Sequence, residues 1–346
     1  MTLESLANGQ FLHLSRFSPE SLPCGETYKL DDGATIELLA PGVVQLTPAK
    51  VAESGLKHIV YSCGIHGNET APIEICSDLL DDLINGRIGL KHRLLLIFGN
   101  LPAMNIAKRF VEENMNRLFS GEHANGPSNP ERERAAQLEA FVSAFYAKAS
   151  DEEEKIHYDL HTAIRESKNE KFVVMPFLND GRHHSAKQFG FLHACGIQTY
   201  LLSSAPTTTF SYYSSATHKA RGFTVELGRV KPFGENDMTR FEAARKSLTR
   251  LISEDDFAPA VDVNQLTLYK VNQVINRQKE DFTLHFDDDA PNFSDFKAGT
   301  LLASEPGARY EAQQDGEAIV FPNANVAIGQ RALLTVIPTT LETMDV

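Results

Sequence analysis

The sequence has no apolar run long enough to cross a bilayer. Its longest plainly apolar stretch, 94–98, falls far short of the roughly 20 residues that a spanning helix needs. The opening MTLESLANGQFLHL lacks the basic stretch and apolar core of a secretory signal, so a cytoplasmic address is expected. Positive charge is also short: 33 Lys and Arg face 46 Asp and Glu, a net charge of −13, which leaves no global field to attract nucleic acid. Any anionic ligand must then meet a local cationic pocket. Cysteine is scarce, and Cys24, Cys63, Cys76 and Cys195 show no CxxC spacing, which excludes a zinc ribbon and a thioredoxin-like pair. They read as small hydrophobes in a reducing compartment. Internal repeats and low-complexity linkers are absent as well.

What is present is an ordinary globular composition, 42% hydrophobic and 23% charged, in a chain of 346 residues that can bury a sizeable core. Residues 1–50 carry short apolar segments, 11–14 and 34–39, separated by turns, and predict a small sheet or hairpin. From residue 57 the texture alternates. HIVYSC predicts a strand, GIHGNE a turn, and TAPIEICSDLLDDLIN a helix. Strands are expected at 93–98, 156–160, 172–177, 199–202 and 223–227, and helices at 130–149, 183–194 and 237–252. Alternating strands and helices point to an α/β sheet covered on both faces. After residue 255 only short β-like runs remain (266–271, 282–286, 317–321 and 332–337), so 1–255 reads as a catalytic domain and 256–346 as a small β-rich domain.

The chemistry concentrates in CGIHGNE, where a strand gives way to a helix. His66 and Glu69 are three residues apart, which at a helix entrance lets an imidazole and a carboxylate converge. Zinc accepts both, and a catalytic zinc takes a third protein ligand and leaves a fourth position for water. His161, ending IHYDLH at another strand's carboxyl edge, is the best third ligand, with Asp159 on the same side of the strand to orient an imidazole. H-x-x-E alone is weak, and it is not the helical H-E-x-x-H of metalloproteases. In KRFVEENMNRLF, Arg109, Asn116 and Arg117 offer polar groups suited to carboxylates. Glu226 lies inside the apolar strand FTVELG. It reads either as an ion-paired carboxylate or as a buried acid whose raised pKa suits proton transfer.

Taken in order, GIHGNE, NMNRLF, DLH and TVELG resemble the aspartoacylase and succinylglutamate desuccinylase family of zinc carboxypeptidase-like hydrolases. The likeness spans the chain, and GIHGNETAPIEI, FGNLPAMN and VELGRVKPFGEN are most similar to the desuccinylase branch. It implies a mixed β-sheet flanked by helices with a smaller C-terminal β domain. It further implies one Zn²⁺ held by His66, Glu69 and His161, and Glu226 as general base and then acid. Arg109 would polarise the scissile carbonyl, and Asn116 and Arg117 would grip a substrate carboxylate. The reaction implied is hydrolysis of N-succinyl-L-glutamate, a small anionic substrate, as the last step of arginine breakdown by the succinyltransferase route.

Two positions depart from that family. Ala216 stands where an arginine for the substrate α-carboxylate is expected, leaving His218, Lys219 or Arg221 as substitutes, and Asn114 stands where relatives carry an acid. Alternatives are a hydrolase of another N-acyl amino acid, a peptide-cleaving carboxypeptidase, and a catalytically silent zinc- or ligand-binding protein. His183-His184 reads as a solvated helix start, and Phe210-Ser-Tyr-Tyr as either a lid or surface packing. Oligomeric state is left open.

Overall fold

The strand Arg93–Phe98 is buried along its whole length, and its side chains alternate between two cores. Leu94, Leu96 and Phe98 join one, while Leu95 and Ile97 join the other. The neighbouring strand Lys57–Cys63 divides in the same way, with Ile59, Tyr61 and Cys63 opposite Val60. Sequence of this kind requires cover on both faces. The helices Thr70–Ile84, Ala186–Ala194 and Glu242–Ser253 supply it on one side, and Pro130–Tyr146 and Phe210–His218 on the other. Each fully buried Leu or Phe contributes about 1.5–3 kcal/mol.

This computed structural model describes residues 1–50, 52 and 55–341, and the backbone of 344–345. Among the described residues, one sheet contains 13 strands. Starting at Val43–Thr47 it proceeds through Arg93–Phe98, Lys57–Cys63, Glu154–Ala163, Arg221–Arg229, Phe172–Met175 and Thr199–Leu202. Lys57–Cys63, Glu154–Ala163 and Arg221–Arg229 are parallel neighbours, whereas Phe172–Met175 runs antiparallel to Arg221–Arg229. This is the mixed α/β sheet flanked by helices expected from the sequence. Among the described residues, no helix is long and apolar enough to cross a membrane.

The sheet does not stop at residue 255. Thr267–Asn276 pairs parallel with Thr199–Leu202, and Arg331–Pro338 and Glu317–Val320 continue the order. Beyond them the C-terminal residues form a core of their own around Ile275, Phe282, Leu302 and Leu333, with a separate three-stranded sheet.

Three local expectations give way. Residues 11–14 lie in the helix Gln10–Phe17, because Phe11, Leu12 and Ser15 bury one helical face. At 183–194 the helix begins only at Ala186, since His184–Ser185 pairs with Met344–Asp345. At 237–252, Asp237 accepts a hydrogen bond from the Thr239 amide and starts a 3₁₀ turn, Met238–Phe241, so the helix proper is Glu242–Ser253.

Candidate metal centre

The three central parallel strands deliver the predicted residues to one end of the sheet. After Cys63 the chain turns sharply at Gly64, with φ +63°, where a Cβ would stand 2.1 Å from Met104 Cε. At Gly67 a Cβ would come 2.2 Å from the Ala103 backbone, so the turn carrying His66 fits closely against its neighbours. Glu69 occupies the N-cap position of Thr70–Ile84. His161 is near the carboxyl end of Glu154–Ala163, and Glu226 is its register partner on Arg221–Arg229, so the two side chains leave the sheet on the same face.

His66, Glu69 and His161 are all buried and offer ligand atoms within 4.8 Å of one another. His66 Nδ1 lies 2.8 Å from Glu69 Oε1 and yet makes no hydrogen bond. Its other nitrogen, Nε2, is 2.9 Å from Asn114 Oδ1, and that oxygen also accepts from the Asn116 amide. The His66 proton therefore sits on Nε2, and Nδ1 turns a lone pair towards a carboxylate oxygen. Two acceptors held face to face fit a shared cation. His161 lies between two carboxylates, with Nε2 2.8 Å from Asp159 Oδ2 and Nδ1 2.7 Å from Glu69 Oε2. The donor set of two imidazoles and one carboxylate suits zinc.

Behind His161 the hydrogen bonds run in one direction. Ser62 donates to Asp159 Oδ1 at 2.5 Å, so its oxygen accepts from His157 Nε2 at 2.8 Å. His157 Nδ1 then accepts from Ser214 at 2.7 Å. Every group in this chain is buried. The arrangement fixes Asp159 as an acceptor towards the cluster, a constraint on tautomer that supports a metal ligand. Sequence spacing reaches Asp159; Ser62, His157 and Ser214 come from three separate elements and carry no linear signal.

Burial pushes the Glu226 carboxyl up to about 7, with the Glu69 carboxylate adding to the shift. Its Oε2 is buried without a hydrogen-bond partner. Of the two sequence readings, the buried acid describes this side chain. For Glu69, burial is outweighed by the two imidazoles, which hold it well below the usual carboxylate range. Arg109 Nη1 donates to Glu69 Oε1 at 2.7 Å. The segment carrying Arg109 is fastened by its own carbonyl, which accepts from the Gly67 amide at 3.1 Å, and by buried Glu131, whose Oε1 accepts from the Val111 amide at 2.7 Å.

These groups open into a cavity of about 1180 Å³ that Asn116, Arg117 and Tyr212 also line. Asn116 Oδ1 accepts from the Phe210 amide at 3.0 Å, anchoring the helix Phe210–His218. Phe210 itself is buried and stacks on Phe119 at 4.2 Å, so the Phe210-Ser-Tyr-Tyr segment is built into the core, with Ser211 and Tyr212 lining the cavity. Ala216 is exposed, and neither it nor His218, Lys219 or Arg221 lines the cavity. The C-terminal residues contribute Arg331, Asn276 and Phe282 to its lining. Sequence reasoning missed Arg331, which sits in the unremarkable string GQRALLTV.

A mixed α/β sheet that gathers two imidazoles and a carboxylate at its carboxyl edge, with a carboxyl poised near neutrality beside them, is an arrangement suited to hydrolases that use a metal ion. The family model for the succinylglutamate desuccinylase/aspartoacylase catalytic domain matches residues 56–252, and that for the AstE/AspA barrel-sandwich hybrid domain matches 264–339. The chain belongs to the succinylglutamate desuccinylase/aspartoacylase family. It is 54% identical over 338 residues, 96% of this chain and 95% of the relative, to a succinylglutamate desuccinylase of Pseudoalteromonas atlantica. Among solved structures, that of succinylglutamate desuccinylase from Chromobacterium violaceum is 37% identical with a TM-score of 0.85, covering 97% of this chain and all of that one. The Vibrio parahaemolyticus enzyme is 34% identical with a TM-score of 0.86, covering 95% of both chains.

Proposed function

We propose that this chain hydrolyses N-succinyl-L-glutamate to succinate and L-glutamate at one zinc ion held by His66, Glu69 and His161. The observation that carries this reading is the placement of Glu226 in register with His161, buried, with its Oε2 unpartnered, in a cavity that guanidinium groups also line. When bound, zinc would supply a Lewis acid and lower the pKa of water towards about 7.

Glu226 then takes one proton from the attacking water and passes it to the glutamate nitrogen as the amide bond breaks. A carboxyl held near neutral pH is suited to both transfers. Arg109 faces the scissile carbonyl and neutralises the charge that develops on its oxygen. Asn116 and Arg117 receive a substrate carboxylate, Arg117 as a bidentate fork. Asp159 orients the His161 ring through Nε2, so that Nδ1 would be the atom to hold the ion.

The remaining assignments belong to the same proposal. Residues 1–255 form the catalytic domain and 256–346 a smaller domain that walls the cavity, which agrees with the separate core around Leu302 and Leu333. Four free cysteines, three of them buried, suit a reducing cytoplasm, and the reaction closes arginine breakdown by the succinyltransferase route.

The test is zinc content by elemental analysis combined with succinate release. About one zinc per chain and turnover of N-succinyl-L-glutamate ahead of N-acetyl-L-aspartate support the assignment. A clear preference for the acetyl substrate moves it to another N-acyl amino acid, and turnover that survives complete zinc removal overturns the metal centre.

A further inference from the structure

The cavity holds guanidinium groups whose partners differ. Arg109 is paired with Glu69. Arg165 is tied to the backbone carbonyls of Asp288, Ala290 and Pro322. Arg117 donates Nη1 to the Asn116 carbonyl at 2.8 Å. Arg331 has a buried Nε with no hydrogen-bond partner, and no carboxylate among the described residues lies within ion-pair distance of it. Its guanidinium carbon is 5.5 Å from the centre of the Phe321 ring.

The backbone shows why Arg331 faces this way. Across the pair Thr267–Asn276 and Arg331–Pro338, Val274 opposes Leu334, Ile275 opposes Leu333, and Asn276 opposes Arg331, so Ala332 has no opposite number. This is a bulge, with two residues set against one. In an unbroken strand Arg331 would share the face of Leu333 and point into the small C-terminal core. The bulge instead puts both Ala332 and Leu333 into that core and turns Arg331 to the side of Leu334. Val274, Asn276, Leu334 and Arg331 together line the cavity. The extra residue thus turns a cation away from the small core and into the cavity that His66, Glu69 and His161 also line.

The surroundings leave that charge in need of an anion. Burial, reinforced by Arg109, pulls the Arg331 guanidinium down to about 10, and burial with Arg331 and Arg109 close by pulls Arg117 well below the usual arginine range. Both side chains are half-buried, and like charges this close repel until a counter-charge arrives.

We propose that Arg331 is a specificity-determining residue that completes, with Arg117, a two-arginine subsite for substrate carboxylates. The cavity would then select acyl amino acids carrying a carboxylate beyond the one that Arg117 can hold. This rests on the hydrolase reading given above.

The test uses the zinc-loaded full chain and Arg331→Gln. The substrates are N-succinyl-L-glutamate and three analogues that each lack one carboxylate: N-butyryl-L-glutamate, N-succinyl-L-glutamine and N-succinyl-4-aminobutyrate. Arg331→Gln should raise KM for N-succinyl-L-glutamate about 30- to 100-fold, with kcat changed by no more than about threefold and zinc content and Tm unchanged. Arg331→Lys should recover part of that loss. For one analogue the wild type should already show the loss, and the substitution should add no more than about threefold. An unchanged KM, or the same penalty on all four substrates, overturns the proposal.

Calorimetric titration of both proteins with succinate and with L-glutamate needs no turnover. Weakened binding of at least one by Arg331→Gln supports the subsite, and equal binding of both overturns it. A wild type that binds these dicarboxylates through Arg331 but cleaves none of the amides overturns the hydrolase reading alone.

Discussion

Behind the cluster, the chain from Ser214 through His157 and Ser62 to Asp159 leaves no polar atom of those side chains without a partner. In the cavity lining, Arg331 keeps a buried Nε with nothing to bind. Both regions are polar and enclosed, so burial alone does not separate them. A resident ion has to be gripped in a fixed geometry through every turnover, and a backing in which each donor has one acceptor supplies that rigidity. A substrate must arrive and leave. Groups that meet it are unpaired beforehand, at a cost that binding offsets. His66 Nδ1 and Glu226 Oε2, which belong to residues lining the same cavity, are also unpartnered. Buried atoms without partners also occur away from the cavity, at His92 Nε2 and His193 Nδ1, so it is their convergence on one cavity that marks His66, Glu226 and Arg331 as ligand-facing.

The largest effects should come from separating the holding of the ion from its use. Glu226→Gln is expected to retain zinc by elemental analysis while kcat falls about 10²- to 10⁴-fold. His66→Ala should lose the metal, and with it activity, in the same measurement. Wild-type turnover in Glu226→Gln would remove that residue from proton transfer, and full zinc in His66→Ala would remove His66 from the ligand set. The first variant has a stability signature too. The folded pKa of Glu226, about 7, is raised above the ordinary 4.5, so this carboxyl favours the folded state below about 4.5, and that contribution is lost as pH rises through about 7. Metal-free Glu226→Gln should therefore be more stable than metal-free wild type at pH 8, by roughly 2–3 kcal/mol in denaturant titration, with the gap closing towards pH 4.5.

An intermediate effect is expected from opening the paired backing. His157→Gln strands Ser62 and Ser214, which should weaken zinc about tenfold against a competing chelator and destabilise the fold by about 1–3 kcal/mol at pH 7.5. Burial holds His157 down at about 4. A depressed histidine contributes stability that is present above its unfolded value of about 6.5 and is lost as pH falls through about 4. The substituted protein lacks that loss, so the two stability curves should converge on acidification. Parallel curves would mean that His157 is not the titrating group.

How much of this was legible in the sequence depends on whether the signal is local. The strand, turn and helix of residues 57–84 show in apolar periodicity, and GIHGNE marks the turn because glycines are needed where the backbone closes on Met104 and Ala103. His66, Glu69, His161 and Glu226 were accessible because each sits at or near a strand's carboxyl end, a position that pattern reading recovers. Residues 11–14 misled because two adjacent apolar residues fit either period until burial shows which face is covered. Arg331 was invisible for a different reason. Its direction is set by a one-residue mismatch between two strands some 55 positions apart (276 and 331), and alternation within RALLTV assigns it to the wrong face. Ser62 and His157 likewise look like routine core residues until cross-strand register brings them to Asp159.

The smallest expected effect concerns Asn114, the one partner of the cluster's imidazoles that is neutral where Asp159 is charged. Its Oδ1 accepts from His66 Nε2 at 2.9 Å, which fixes the ring without raising its basicity as a carboxylate would. Asn114→Asp keeps an acceptor oxygen in the same place and changes only its charge. His66 should become the stronger ligand, and zinc should bind about three- to tenfold more tightly in chelator competition. The added negative charge also disfavours ionisation of nearby carboxyls, so the acid limb of the kcat/KM profile, assigned to Glu226, should move to slightly higher pH. The gain is capped because the ring is already oriented and the amide of Asn116 shares the same oxygen. Zinc affinity that is unchanged or weaker in Asn114→Asp would show that the two imidazoles are not tuned through their outer nitrogens, and the contrast between a backing that grips and a wall that waits would then rest on His161 alone.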